Sequence, residues 1–385
     1  MKFEFATATR IIFGNGTYGQ VAPLAAEMGS YAFIVTGRSS ERAKSLIEQL
    51  KKHRIKCVMF NAPNEPTATL AKAAVLEARQ AESDLVIAIG GGSVIDTGKV
   101  VAAMITNSGQ LEDYLEIVGS GKPLTRHPVP FIAIPTTAGT GAEVTRNAVL
   151  SLTEHQVKVS MRSPLMLPRV AVVDPLLTHS MPPSITASTG LDTLTQLMEA
   201  YVSNKANPLT DGICREGLKR AGRSLQPAYE DGGNRTAREE MAMASLFSGL
   251  ALANAKLGAV HGLAGPLGGM LSAAHGVICA RLLPYVMQAN VQVLQERAAD
   301  SPALARYDQI AQLATGTATA KATDGLEWVQ ELCSSLKVPP LAEFGLKEQD
   351  LPAVVAKSRK SSSMKGNPII LTDDELMVIL KKSGR

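Results

Sequence analysis

The chain has 385 residues, 45% of them hydrophobic and 19% charged, with a formal net charge of +4. This composition supplies ample material for buried cores and excludes a disordered or fibrous chain. Lys and Arg are interspersed with Asp and Glu throughout, which excludes a dedicated nucleic-acid binder. At about 150 residues per domain, the length points to two or three domains. The opening Met1-Lys2-Phe3-Glu4-Phe5 lacks the continuous apolar run of a secretory signal. Cys57, Cys214, Cys279 and Cys333 form no CxxC pair and read as reduced, mostly buried thiols. A soluble cytoplasmic protein is expected.

In chain order, β-branched apolar runs at 31–36, 55–60, 85–89, 131–134 and 170–173 predict buried strands. Helical periodicity fills the intervals at 40–53, 68–82 and 94–107. Strands alternating with helices imply a parallel sheet covered on both faces, a Rossmann-like α/β domain over residues 1–178. Beyond about residue 175 the strand signal stops. Helices are predicted over 185–204, 209–225, 235–256, 276–293, 303–314, 323–336 and 373–381, giving an all-α domain over 179–385. For such a bipartite chain, a cleft between the halves is the default ligand site.

Residues 257–280 contain no Asp, Glu, Lys or Arg and are long enough to span a bilayer. They also contain two histidines, a proline and six glycines, which a lipid-facing helix would not use. The stretch reads as a tightly packed interior segment beside something polar. Gly90-Gly91-Gly92-Ser93 follows the strand at 85–89 and opens the next helix, with Asp96 and Lys99 one and two turns on. Glycines at such a turn let backbone approach a ligand, and the helix N-terminus offers N–H groups to a phosphate. The spacing is not GxGxxG, and a tight turn without ligand is the plain alternative. A second strand end carries Pro135-Thr136-Thr137-Ala138-Gly139-Thr140-Gly141-Ala142-Glu143. It reads as a ligand-crevice loop or as a helix start with Thr140 as N-cap and Glu143 completing a capping box. Asp192 and Gln196, spaced i and i+4, share a helix face; with His261 and His275 they are a candidate set for a divalent metal, zinc or ferrous iron. Cys279, near His275, is read as a core thiol.

GGGSVIDTGK at 90–99, PTTAGTGAEVT at 135–145, GLDTLTQLMEAYVS at 190–203 and the VHGLAGPLGG…HG run at 260–276 together resemble the iron-containing (group III) alcohol dehydrogenase family. Phe13-Gly14-Asn15-Gly16, Asn367-Pro368 and Leu371-Thr372 also fit, so the likeness runs from about residue 5 to 381 in order. The resemblance implies a dehydroquinate synthase-like fold, an α/β domain holding NAD(P) and a helical domain holding the metal. It places Gly91, Gly92 and Ser93 at the pyrophosphate and Asp96, in the same motif, among the cofactor-binding residues. Thr136, Thr137, Thr140 and Lys158 fall on the nucleotide and nicotinamide site. Asp192, His261 and His275 fall on metal-ligand positions and act in catalysis through the metal.

The chain departs from that pattern at three places. Gln196 stands where many members have a fourth ligand histidine, and an amide oxygen is a weaker, harder ligand than imidazole. Gly265 stands where many have a proton-relay histidine, which leaves water or a ribose hydroxyl to pass the proton. Gly37-Arg38-Ser39-Ser40 follows the strand at 31–36, where NAD-preferring relatives carry an acidic residue at the Gly37 position. Arg and hydroxyls suit a 2′-phosphate, which favours NADP(H) over NAD(H); the plain alternative is a turn that caps the next helix. The expected activity is metal-dependent hydride transfer between NAD(P)H and a small aldehyde or ketone, or a primary or secondary alcohol, in a homodimer or higher homo-oligomer. Rival readings are a metal-independent maleylacetate-reductase-like enzyme, a zinc polyol (glycerol-type) dehydrogenase, a dehydroquinate-synthase-like lyase and a non-enzymatic nucleotide-binding protein.

Overall fold

A computed structural model describes every residue except Met1, Ile117, Thr153, His155 and Gln156. The chain divides into two compact units. One comprises residues 6–137 and 141–178; the other comprises 1–5, 138–140 and 179–385.

The first unit is built on six parallel strands: β1 (Arg10–Phe13), β2 (Tyr31–Thr36), β3 (Lys56–Asn61), β4 (Leu85–Gly90), β5 (Phe131–Pro135) and β8 (Val170–Val173). Their order is β1-β8-β5-β4-β2-β3. The intervening helices are α1 (Val21–Ala26), α2 (Glu41–Lys52), α3 (Ala68–Gln80) and α4 (Gly92–Thr106). Every residue of β4 and β5 is buried, because helices cover both faces of the sheet and leave no solvent side for alternation. After β3 the chain returns to the other side of β2 to lay down β4, so the strand order reverses between β2 and β4. In open α/β sheets the crevice outside the strand carboxyl ends at such a point is where ligands bind. Residues 37–40 leave β2 at this edge and residues 91–93 leave β4 there.

Three strands go beyond the sequence expectation. β1 is a four-residue edge strand paired only with β8. β6 (Asn147–Leu152) and β7 (Val157–Arg162) form a separate antiparallel pair. β6 alternates half-buried and buried residues, so no continuous apolar run announces it.

The second unit is entirely helical: α5 (Pro183–Val202), α6 (Pro208–Glu230), α7 (Arg235–Asn254), α8 (Ala259–Met270), α9 (His275–Arg297), α10 (Pro302–Thr315), α11 (Ala322–Ser335), α12 (Leu351–Ser358) and α13 (Asp373–Ser383). α5 is its central element; all but four of its twenty residues are buried. The charge-free stretch folds as α8 and the first turn of α9, and α8 is bent 96° from α7. Among the described residues, α9 is long and apolar enough to cross a bilayer, as is the bent pair α7–α8 taken as one span, yet 61% of the α9 apolar window is buried. α1, α8 and α12 are absent from the sequence expectation. Six- and eight-residue helices give the periodicity too few turns, and α8 has four glycines in twelve residues.

Candidate active site

In the α/β unit, the backbone at the mouth of β4 is prepared for an anion. Gly91 is the N-cap of α4 in extended conformation with no side-chain cap, and no acidic residue lies in the first turn. The first amides of a helix have no intrahelical acceptor and carry the positive end of its dipole, so Gly92 and Ser93 sit where a pyrophosphate is favoured. A Cβ on Gly91 would stand 3.4 Å from Thr137 Cγ2, which places the two loops side by side. Thr136 N donates to Gly90 O at 2.9 Å, continuing the β4–β5 ladder.

Other expected cofactor residues carry structural ties. Asp96, with 15% of its side chain exposed, accepts from Val149 N at 2.9 Å and pairs with Lys99 at 3.4 Å. Lys99 Nζ also donates to Thr145 Oγ1 and Asn147 O, both at 2.7 Å. Burial raises the Asp96 pKa and lowers that of Lys99, against the attraction each exerts on the other. Lys158 Nζ pairs with Glu65 at 2.6 Å. Arg38 donates from Nε to Pro63 O at 3.1 Å and from Nη2 to Asn64 Oδ1 at 3.0 Å, spanning to the loop after β3. Gly37 precedes it and Ser39 accepts from Thr36 Oγ1 at 3.3 Å; Ser40 stands at the N-cap of α2 without a side-chain cap bond. Thr140 belongs to the helical unit with Ala138 and Gly139, whose carbonyl accepts from Thr193 Oγ1 at 3.2 Å. The expected capping box does not form. Gly141, left-handed at φ 61°, is the N-cap of the short turn Ala142–Val144. A backbone there with positive φ favours glycine over threonine.

In the helical unit, Asp192 and Gln196 project from one face of α5, and Gln196 Nε2 donates to Asp192 Oδ2 at 3.0 Å. α8 brings His261 Nε2 to 3.3 Å from Asp192 Oδ1. His275, the first residue of α9, places Nε2 at 4.0 Å from the same oxygen. One turn on, Cys279 Sγ lies 3.5 Å from His275 Nε2 and 3.8 Å from His261 Nε2. Cys279 is therefore not a bystander of the core. Donor atoms of Asp192, His261, His275 and Cys279 all lie within 4.8 Å of one another. Gly276 makes the approach possible, since a Cβ there would come within 2.2 Å of Ser188 O on α5.

Glu199 is the residue that sequence reasoning missed. It lies two turns after Asp192 on α5, is buried, and caps α8. Its carboxylate accepts from Val260 N at 2.6 Å and faces His261 Nδ1 at 2.7 Å. With Nδ1 committed there, Nε2 is turned into the cluster. The i, i+4, i+7 spacing of Asp192, Gln196 and Glu199 is a readable signal for one face. Asn367 Oδ1 accepts from Ala259 N and Asn290 Nδ2, both at 3.1 Å, and completes the start of α8.

The electrostatics of the cluster favour a cation. Burial pushes the Asp192 carboxyl up, but the His261 imidazole facing it and the nearby His275 bring it below the usual carboxylate range. Burial opposes charge on His261, yet Cys279, Asp192 and Glu199 hold its pKa well above the ordinary imidazole value. Cys279 is the main influence raising His275, with burial opposing. Asp192 Oδ1 and Gln196 Oε1 are buried and make no hydrogen bond. Carboxylate and imidazole donors around an unsatisfied buried oxygen fit a divalent metal.

Comparison with known proteins agrees along the whole chain. A family model described as iron-containing alcohol dehydrogenase matches residues 8–175, and one for the C-terminal part of the Fe-containing alcohol dehydrogenase family matches 186–384. The 1,3-propanediol dehydrogenase of Klebsiella pneumoniae is 35% identical over 363 residues, 92% of each chain. The crystal structure of a 1,3-propanediol oxidoreductase superposes with a TM-score of 0.91 at 31% identity, covering 100% of both chains. The sulfoacetaldehyde reductase of Bifidobacterium kashiwanohense, solved in complex with NAD+, gives 0.87 at 29% identity over 100% of this chain and 99% of that one.

Proposed function

The chain belongs to the iron-containing alcohol dehydrogenase family, and from that premise we propose a metal-dependent oxidoreductase that uses NADP(H) in preference to NAD(H) on small aldehydes, ketones and alcohols. The observation that carries the reading is the convergence of buried Asp192 and His261 with the half-buried His275 around a carboxylate oxygen with no hydrogen bond. When bound, the metal supplies Lewis-acid polarisation of the substrate oxygen and the dinucleotide supplies the hydride.

The chain's own residues prepare for that chemistry. Asp192, His261 and His275 hold the metal, and Gln196 orients the Asp192 carboxylate through its amide. Glu199 is a positioning residue that fixes the His261 ring. Gly91, Gly92 and Ser93 offer backbone to the pyrophosphate. Gly37 presents no carboxylate to repel a 2′-phosphate, and Arg38 lies beside it. A Cβ at Gly265 would meet nothing within 4 Å, so no side chain stands where a relay histidine was expected. Water or a ribose hydroxyl carries the proton in this reading. The four cysteines are free thiols, which fits a cytoplasmic enzyme. Leu209, Ile370 and Val378 stand exposed on the helical unit and supply apolar surface for self-association into a homo-oligomer.

The test is elemental analysis of protein purified without chelator, paired with NADPH and NADH oxidation on a panel of small aldehydes. Near-stoichiometric metal, turnover lost on chelation and a higher kcat/KM with NADPH are expected. Full turnover by metal-free protein overturns the reading. A Cβ at Gly37 would lie at ordinary contact distance, 3.6 Å from Val94, so Gly37→Asp fits and shifts the coenzyme ratio toward NADH by about tenfold.

A further inference from the structure

The fourth donor of the cluster comes from an unexpected side chain. Cys279 is fully buried and engaged in no disulfide, and its sulfur lies within reach of both imidazoles. Four donors around a zinc ion, at about 2.0–2.2 Å for nitrogen and oxygen and about 2.3 Å for sulfur, stand about 3.3–3.6 Å apart at the corners of a tetrahedron. Four of the six separations are 3.3, 3.5, 3.8 and 4.0 Å and all lie within 4.8 Å, so side-chain movements would close the set on an ion. Asp192 Oδ1, on a residue only 2% exposed, is the unsatisfied atom within that figure. Gln196 gives its amide N–H to Asp192 Oδ2, which makes it a support for the carboxylate.

We propose that Cys279 is the fourth metal ligand of this chain, as thiolate, giving an Asp–His–His–Cys set that takes zinc or cobalt in preference to ferrous iron. The inference rests on the metal-dependent reading above. On binding, the metal–sulfur bond replaces the S–H bond and the thiol proton passes to solvent. Divalent iron already stands below cobalt and zinc in affinity for mixed donor sets, and thiolate is the soft ligand that suits zinc. Closed four-ligand zinc sites are structural. Here the His275 side chain is 36% exposed, so its side of the cluster stays reachable for a substrate oxygen.

The test is titration of chelator-stripped, full-length protein with cobalt(II), followed by absorption and proton release. Wild type is expected to develop a near-ultraviolet sulfur-to-cobalt charge-transfer band that saturates at one ion per chain. Cys279→Ser is expected to bind cobalt without that band and to bind zinc at least about tenfold more weakly. Zinc-edge X-ray absorption of the wild type should show a sulfur neighbour at about 2.3 Å, which decides the question even if the variant fails to fold. Identical cobalt spectra for wild type and variant, or only nitrogen and oxygen neighbours around zinc, overturn the thiolate assignment and leave the metal enzyme standing. Wild type that binds neither ion overturns the metal-dependent reading, and this proposal falls with it.

Discussion

Two buried polar clusters, one in each unit, can be compared atom by atom. In the α/β unit, Lys99 Nζ has three acceptors and both Asp96 carboxylate oxygens have a donor. In the helical unit, Asp192 has a donor on Oδ2 and none on Oδ1, and the Gln196 carbonyl oxygen has none. Both clusters combine a carboxylate with nitrogen bases. The difference lies in completion. A closed set of buried charges ties α4 to β6, whereas an open set has room for a ligand to finish it.

Substitutions that remove a carboxylate or its partner should separate the two. Asp192→Asn keeps the shape and removes the charge, so bound metal is expected to fall to near zero and kcat/KM to drop about a thousandfold or more. The melting temperature of the metal-free variant is expected to fall modestly, since the imidazoles that hold the Asp192 carboxyl below its usual range lose their charged partner. Loss of stability with metal retained would mean that this cluster, too, is structural. Lys99→Met should do the reverse. It leaves Asp96 without its cation and is expected to cost about 3–5 kcal/mol in denaturant unfolding, with metal content of the folded protein unchanged. Adding Asp96→Asn should recover part of that loss; no recovery would show that the pair was not the tie.

A third change sharpens the comparison through pH. Burial pushes the Glu143 carboxyl up to about 7, with its own backbone N–H and Lys99 pulling the other way. Below its ordinary value of 4.5 both folded and unfolded states hold the proton. Between 4.5 and about 7 the folded state keeps a proton that the unfolded state has lost, so this group's contribution to stability falls as pH rises. Above that window the full cost remains. Glu143→Gln is therefore expected to stabilise the protein by about 2–3 kcal/mol more at pH 8 than at pH 5. Equal effects at both pH values would show that Glu143 stays ionised in the folded protein.

The strands that the sequence predicts well are those marked by continuous apolar runs, most of them buried on both faces. β2 and β8 fall on the expected residues, 31–36 and 170–173, because unbroken apolar runs mark them. β1 is too short, and β6 and β7 mix polar residues into their pattern, so a search for continuous runs passes over them. Loop motifs at 37–40, 91–93 and 136–137 could be placed in advance at the carboxyl ends of β2, β4 and β5, since strand-to-helix turns are local. The donor cluster was legible only in part. Asp192 and Gln196 sit one turn apart, as do His275 and Cys279, and both pairs could be read from helical spacing. That α5, α8 and α9 carry these pairs to one place is a matter of tertiary packing, and so is the capping of α8 by Glu199.

The reach of Asn367 to the start of α8 has a consequence for the order in which the protein is made. Its side chain bonds Ala259 N and Asn290, so the backbone that carries His261 is completed by a residue 106 positions later. The sheet unit has all its strands by residue 173. At about 5–20 residues per second, roughly ten to forty seconds of translation separate the two events. A nascent chain can thus assemble its glycine loop well before Asp192, His261 and His275 are in register, and on the proposed metal-dependent reading any metal would be captured at the last stage of synthesis.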